Sequence, residues 1–132
     1  MVKKTLTYRD FNNNERTEEF YFNLTDLEGA ELAMDFPADV IEGRTGAFEA
    51  LGYNGTLALV KNTVLKAYGV KGGDDGRSFV KSDKLTEAFS NTKAFSIIVM
   101  ELFKDNGKAY NDFLMSALEA KTEAPTPATV EN

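Results

Sequence analysis

Several small groups of polar residues have types and spacings that chemistry could use, and each fails at an informative position. Asp10, Asn12 and Asn14 carry the one, three, five spacing of a calcium-binding EF-hand loop. The sixth position of such a loop is glycine and here is Glu15; the twelfth is a bidentate glutamate and here is Tyr21. The group reads as a turn. Gly72-Gly73-Asp74-Asp75-Gly76-Arg77 has the glycine content of a phosphate cradle. A P-loop, however, ends in Lys-Ser/Thr at the start of a helix, and two aspartates here would repel phosphate. Glu18/Glu19 and Asp74/Asp75 are carboxylate pairs, but neighbours on a strand or in a loop point apart. They read as solvated surface.

The chain contains no histidine and no cysteine. That removes the commonest general base, the thiolate nucleophile and the two commonest transition-metal ligands. The sequence therefore predicts no catalytic residue, no bound metal, no cofactor and no enzyme activity. Net charge is −6, with Lys and Arg scattered rather than clustered. Such a surface disfavours phosphate backbones, so no nucleic-acid partner is expected. No apolar run approaches the roughly 20 residues that span a bilayer, so no membrane partner is expected either. The start, Met1-Val2-Lys3-Lys4-Thr5, is basic without a following apolar segment, which points to residence in the cytoplasm.

The elements that must position any binding surface follow from periodicity. Residues 3–22 read as a β-hairpin: Thr5 and Thr7 alternate with Leu6 and Tyr8, and Phe20, Tyr21 and Phe22 form the return strand. Asp10–Asn14 supplies the turn, because Asn and Asp tolerate left-handed backbone. Thr25-Asp26-Leu27-Glu28 has capping-box spacing and starts a helix to about Met34, with Leu24, Leu27 and Leu32 facing inward. Residues 37–53 are broken by Gly43, Gly46 and Gly52, with Val40, Ile41, Phe48 and Leu51 on one face of a short helix.

Leu57, Val60, Val64 and Ala67 recur at helical spacing, and Gly69 sits where a glycine C-cap belongs. Ser82 caps a helix over 83–90 that carries Leu85, Ala88 and Phe89 on one side. A segment over 92–103 is apolar nearly all round, and Asp105-Asn106-Gly107 separates it from a last helix with Tyr110, Phe113, Leu114, Ala117 and Leu118. From residue 121 two prolines and the loss of periodicity mark a disordered tail. The expected fold is α+β, mainly α: one domain over 1–120, with an N-terminal β-hairpin, a four- to five-helix bundle over about 24–119, and a tail over 121–132.

All-round apolarity in 92–103 arises from plain burial or from an association surface. The aromatic residues that partners would read are Phe20 and Phe22 on the hairpin and Phe95, Phe103, Tyr110 and Phe113 on the last helices.

Three stretches of the chain resemble the tail assembly chaperones of long-tailed bacteriophages, siphophages of Gram-positive hosts. They are Leu6–Thr25 (LTYRDFNNNERTEEFYFNLT), Leu65–Lys71 with Asp75–Ser82 (LKAYGVK, DGRSFVKS), and Leu85–Ser96 continuing to Met100-Glu101-Leu102. The resemblance implies a protein of the infected cell's cytoplasm, absent from the finished virion. It implies binding to the tape measure protein and recruitment of tail tube subunits; self-association is the expectation that the apolar 92–103 segment adds. A structural tail or head-tail connector protein retained in the virion is the alternative.

Overall fold

The computed structural model describes residues 1–37, 40, 46–73 and 76–118. The expected tail, Ile41, Gly43, the Asp74/Asp75 pair and the part of the expected last helix beyond Leu118 lie outside the described residues.

Strands β1 (Val2–Arg9) and β2 (Glu15–Phe22) pair antiparallel without a bulge, from Val2 opposite Phe22 to Arg9 opposite Glu15. The alternation of the sequence becomes two faces. Val2, Lys4, Leu6 and Tyr8 of β1 are half-buried with Phe20 and Phe22 buried beside them, while Lys3, Thr5, Thr7 and Arg9 are exposed. The turn is built on one carboxylate. Asp10 Oδ1 accepts the backbone N–H groups of Asn12 and Asn14, each at 2.9 Å, and Oδ2 accepts Arg16 Nε at 2.6 Å. Asn13 takes the left-handed conformation at φ 65°. The calcium-like spacing is therefore an Asp-capped hairpin turn whose lone pairs are engaged internally.

Helix α1 (Asp26–Asp35) starts at the full capping box: Glu28 N donates to Thr25 Oγ1 and Thr25 N donates to Glu28 Oε1. The expected inward set is corrected at Leu27, which is 68% exposed, whereas Leu24 and Leu32 are buried. The face that packs passes through Gly29, where an added Cβ would lie 2.8 Å from Leu118 Cδ2. Leu27 is five positions from Leu32, about 140° round the helix, and so points to solvent.

Helix α2 (Ala47–Ala67) is longer than its clearest periodicity and takes in part of the glycine-rich stretch. Gly52, at φ 86° and ψ 171°, kinks it, and Gly46 enters it with φ 83°. Leu59, Val60, Val64 and Ala67 are buried, and Thr63 returns its hydroxyl to Leu59 O at 2.8 Å.

The expected glycine cap at Gly69 is a second correction. Tyr68 leaves the helix in extended conformation and begins β3 (Tyr68–Lys71), which pairs with β2 through Tyr21 opposite Gly69 and Phe22 opposite Tyr68. A two-residue strand β4 (Phe79–Val80) follows and pairs with β3, giving the sheet order β1-β2-β3-β4. Gly69 is needed for close approach: a Cβ there would meet Phe79 Cε2 at 2.5 Å and Val80 O at 2.8 Å.

Helix α3 (Asp83–Ser90) is capped by Ser82, whose Oγ accepts Leu85 N at 3.1 Å. Phe89 on it is buried and Ala88 is exposed. Helix α4 (Lys93–Ala117) is capped by Thr92 and runs 25 residues, through the point where two helices were expected to meet. Gly107 lies inside it at φ 79°, and a Cβ there would sit 2.9 Å from the Phe48 ring of α2. Its role is to let α2 press against α4 rather than to end the helix.

Among the described residues the fold is thus an α+β arrangement, mainly helical. A four-stranded antiparallel sheet covers helices on one face and meets solvent on the other. The core joins both layers. Phe89 stacks on Tyr68 with centroids 4.1 Å apart and meets Phe20, Phe22 and Phe95 at 5.5 to 6.0 Å.

Candidate partner-binding surface

The six aromatic residues expected at partner contacts separate into two groups. Phe20, Phe22, Tyr110 and Phe113 are buried. Phe22 packs edge-on against Phe113 at 5.3 Å, Phe20 lies 5.6 Å from Phe89, and Tyr110 sits edge-on to Phe48 at 5.8 Å. These four build the core and, in the folded chain, present little or no surface. Phe95 and Phe103 on α4 are half-buried and border solvent.

Helix α4 explains the split. Ala94, Ile98, Val99 and Leu102 of its first half are buried, so the residues between them face outward. Ile97 is 40% exposed and Met100 47%, and with Phe103 they follow each other at three-residue steps along one side. The all-round apolarity of 92–103 is therefore both core and exposed strip. Beyond Gly107, Met115 of the same helix is also exposed.

Beside Phe103 lies a feature that sequence reasoning missed. Tyr53, 67% exposed, stands edge-on to the Phe103 ring with centroids 5.1 Å apart. The two rings flank a groove of about 450 Å³ that continues over Phe48, Gly52 and Thr56, with Glu49 and Lys104 at its charged margin. The kink at Gly52 opens this groove. The glycine was visible in the sequence, but nothing local tells which way Tyr53 turns after it. A second exposed apolar pair, Leu27 and Met34, stands on α1 at a spacing of seven residues.

The polar groups do structural work. Burial pushes the Tyr110 phenol up to about 12, against the opposing hydrogen bond with Thr63. Partial burial, then the hydrogen bond to Glu18, puts Tyr8 at about 12 as well. Burial alone would raise Glu28, but the hydrogen bond from the Lys81 ammonium and the capping contacts with Thr25 hold it below the ordinary carboxylate value. Among the described residues no three His, Asp or Glu side chains converge as a metal site, and no helix is long and apolar enough to cross a membrane.

What the molecule presents is a filled core beneath an exposed apolar helix strip and an aromatic groove. Exposed apolar side chains grouped in this way are a general feature of interaction surfaces. The chain belongs to the phage tail assembly chaperones: a family model described as phage tail assembly chaperone matches residues 1–124. No curated protein and no solved structure matches the chain. The family is one of assembly factors, and its partners are phage tail proteins.

Proposed function

We propose that this chaperone binds the tape measure protein through the exposed side of α4 and the adjoining Tyr53/Phe103 groove. The observation that carries the reading is the strip of Ile97, Met100 and Phe103, held outward by a core that uses the opposite side of the same helix. A tape measure protein is long and helical, with apolar stripes that aggregate until a tube encloses them. The exposed strip and the groove beside it offer such a stripe a helix-to-groove contact. The chain's net charge of −6 then supplies repulsion between coated complexes.

In this reading the protein acts by binding, without catalysis, in the cytoplasm of a Gram-positive host infected by a siphophage. It recruits tail tube subunits to the coated tape measure and leaves before the virion is complete. Co-expression with the tape measure protein of the same genome, followed by pull-down and sizing, tests it. A soluble complex with many copies of the chaperone per tape measure is expected. An insoluble tape measure, with this chain found instead in purified particles, overturns the reading in favour of a structural tail component.

A further inference from the structure

Where β2 runs out into Asn23 and Thr25 there is a second cavity, of about 710 Å³, remote from the Tyr53/Phe103 groove. Asn23, Thr25, Lys71, Arg77, Ser78 and Phe79 line it, with glycines between them. Both main-chain groups of Asn23 are satisfied: its N–H donates to Ala67 O at 2.9 Å, and its carbonyl accepts Lys81 Nζ at 2.7 Å. Its side-chain oxygen is not. Asn23 is 4% exposed, yet Oδ1 accepts no hydrogen bond among the described residues. Buried acceptors are almost always paired, so this one points to a donor brought from elsewhere.

The charge around the cavity narrows the choice. The Lys71 ammonium rests 4.8 Å from the Tyr21 ring centroid, and no carboxylate is among the described lining residues. Asp74 and Asp75 follow Gly73 in sequence and disfavour a compact polyanion such as phosphate. Single carboxylates spaced along a peptide suit such a wall better, and a peptide also carries the N–H donor that Asn23 needs.

The chain itself arrives at this wall. Helix α4 ends at Leu118, whose φ of −79° and ψ of 112° are extended. Leu118 runs parallel to Leu24, and Leu24 N donates to Ala117 O at 2.8 Å. Leu118 therefore lies beside the residue flanked by Asn23 and Thr25. One strand spacing separates it from Leu24, and one more separates β2 from β3, which carries Lys71: roughly 10 Å in all. Six extended residues reach roughly 20 Å. The next six are Glu119-Ala120-Lys121-Thr122-Glu123-Ala124, with two carboxylates, small side chains and no proline. The family match ends with the last of them, at residue 124.

We infer that residues 119–124 dock in this cavity. A main-chain N–H of the segment donates to Asn23 Oδ1, and its glutamates meet the Lys71 side of the wall. Attachment at Leu118 keeps the segment at high effective concentration, so a few contacts suffice to hold it. This docking is independent of what the α4 strip binds.

Nitrogen-15 relaxation of the full chain tests it, with the charge reversals E119K/E123K and K71E. Docked, residues 119–124 have backbone order parameters of about 0.85, as packed backbone does. Either reversal is expected to bring them below about 0.6 while the values of β1, β2 and α4 hold, which separates release from unfolding. Disulfide trapping reads the position, because the chain has no cysteine of its own. Ser78→Cys with Thr122→Cys is expected to close within one chain roughly tenfold faster than Thr7→Cys with Thr122→Cys. Low order parameters at 119–124 in the wild type, high values that survive either reversal, or equal closure rates overturn the inference. Disulfide-linked dimers in place of closed monomers also overturn it, since they give the cavity to the segment of another copy.

Discussion

The Lys81 ammonium donates to Glu28 Oε1 at 2.8 Å, and the same nitrogen reaches Asn23 O and Lys66 O, each at 2.7 Å. One side chain from the segment after β4 thus ties the end of β2, the capping box of α1 and the C-terminal end of α2. Lys66 O belongs to the last turn of α2, where carbonyls lack helical partners and a cation is favoured. The Glu28 carboxylate serves two masters here, capping Thr25 N at 3.0 Å as well as pairing with Lys81.

Replacing Lys81 with Met keeps the aliphatic stem and removes the charge. Both residues of the pair are largely buried, at 22% and 23% side-chain exposure. The loss is expected to lower stability by about 1–3 kcal/mol, the cost of leaving part-buried polar groups without a donor. Urea unfolding measures it. An unchanged midpoint would show that water replaces the ammonium without loss.

Acid should weaken the same junction. Glu28 ionises below its ordinary value of 4.5 in the folded chain, so its contribution to stability is complete above that pH. The contribution is lost as pH falls through the lower, folded value. Urea midpoints collected below pH 4.5 should therefore fall less steeply for Glu28→Gln than for the wild type. Parallel slopes would show that Glu28 has no part in acid sensitivity.

Tyr110 predicts the alkaline limb. Its phenol is raised from 10.0 to about 12, so the folded chain resists ionising it. The stability is fully present below pH 10 and is lost as pH rises from 10 towards 12. Absorbance at 295 nm should show this tyrosine ionising late, together with unfolding. Tyr110→Phe removes the 3.0 Å contact with Thr63 and should cost about 0.5–1.5 kcal/mol at neutral pH while flattening the alkaline limb.

Gly107→Ala should destabilise by about 1–3 kcal/mol, since φ is 79° there and the Phe48 ring stands 2.9 Å from the new Cβ. A calorimetric melting temperature within a degree of wild type would mean that α4 straightens at no cost.

Ile97→Glu with Met100→Glu probes the proposed contact. Both side chains are exposed, so the melting temperature should hold while co-purification with tape measure drops at least tenfold. Retained co-purification in the folded variant moves the contact off α4.

Much of this architecture was legible because it is local. The caps at Thr25, Ser82 and Thr92 each complete themselves within three residues, and the hairpin turn closes on Asp10 within the loop. Alternation in β1 and the helical recurrence from Leu57 to Ala67 rest on backbone geometry alone. The absence of histidine and cysteine, and the resemblance carried by three ordered stretches, likewise needed no coordinates.

Tertiary structure decided what depends on distant partners. β3 and β4 are four and two residues long, too short for a periodic signal, and exist because β2 supplies an edge for Tyr68 and Gly69 to pair with. Gly107 looked like a helix end because glycine is most often used that way, yet here the Phe48 ring demands its missing side chain. The apolar segment 92–103 read the same on every side. Only the packing of Ala94, Ile98, Val99 and Leu102 into the core determined that Ile97 and Met100 would be left facing out. Burial of one side of a helix is settled by what packs on it, and that information is spread over the whole chain.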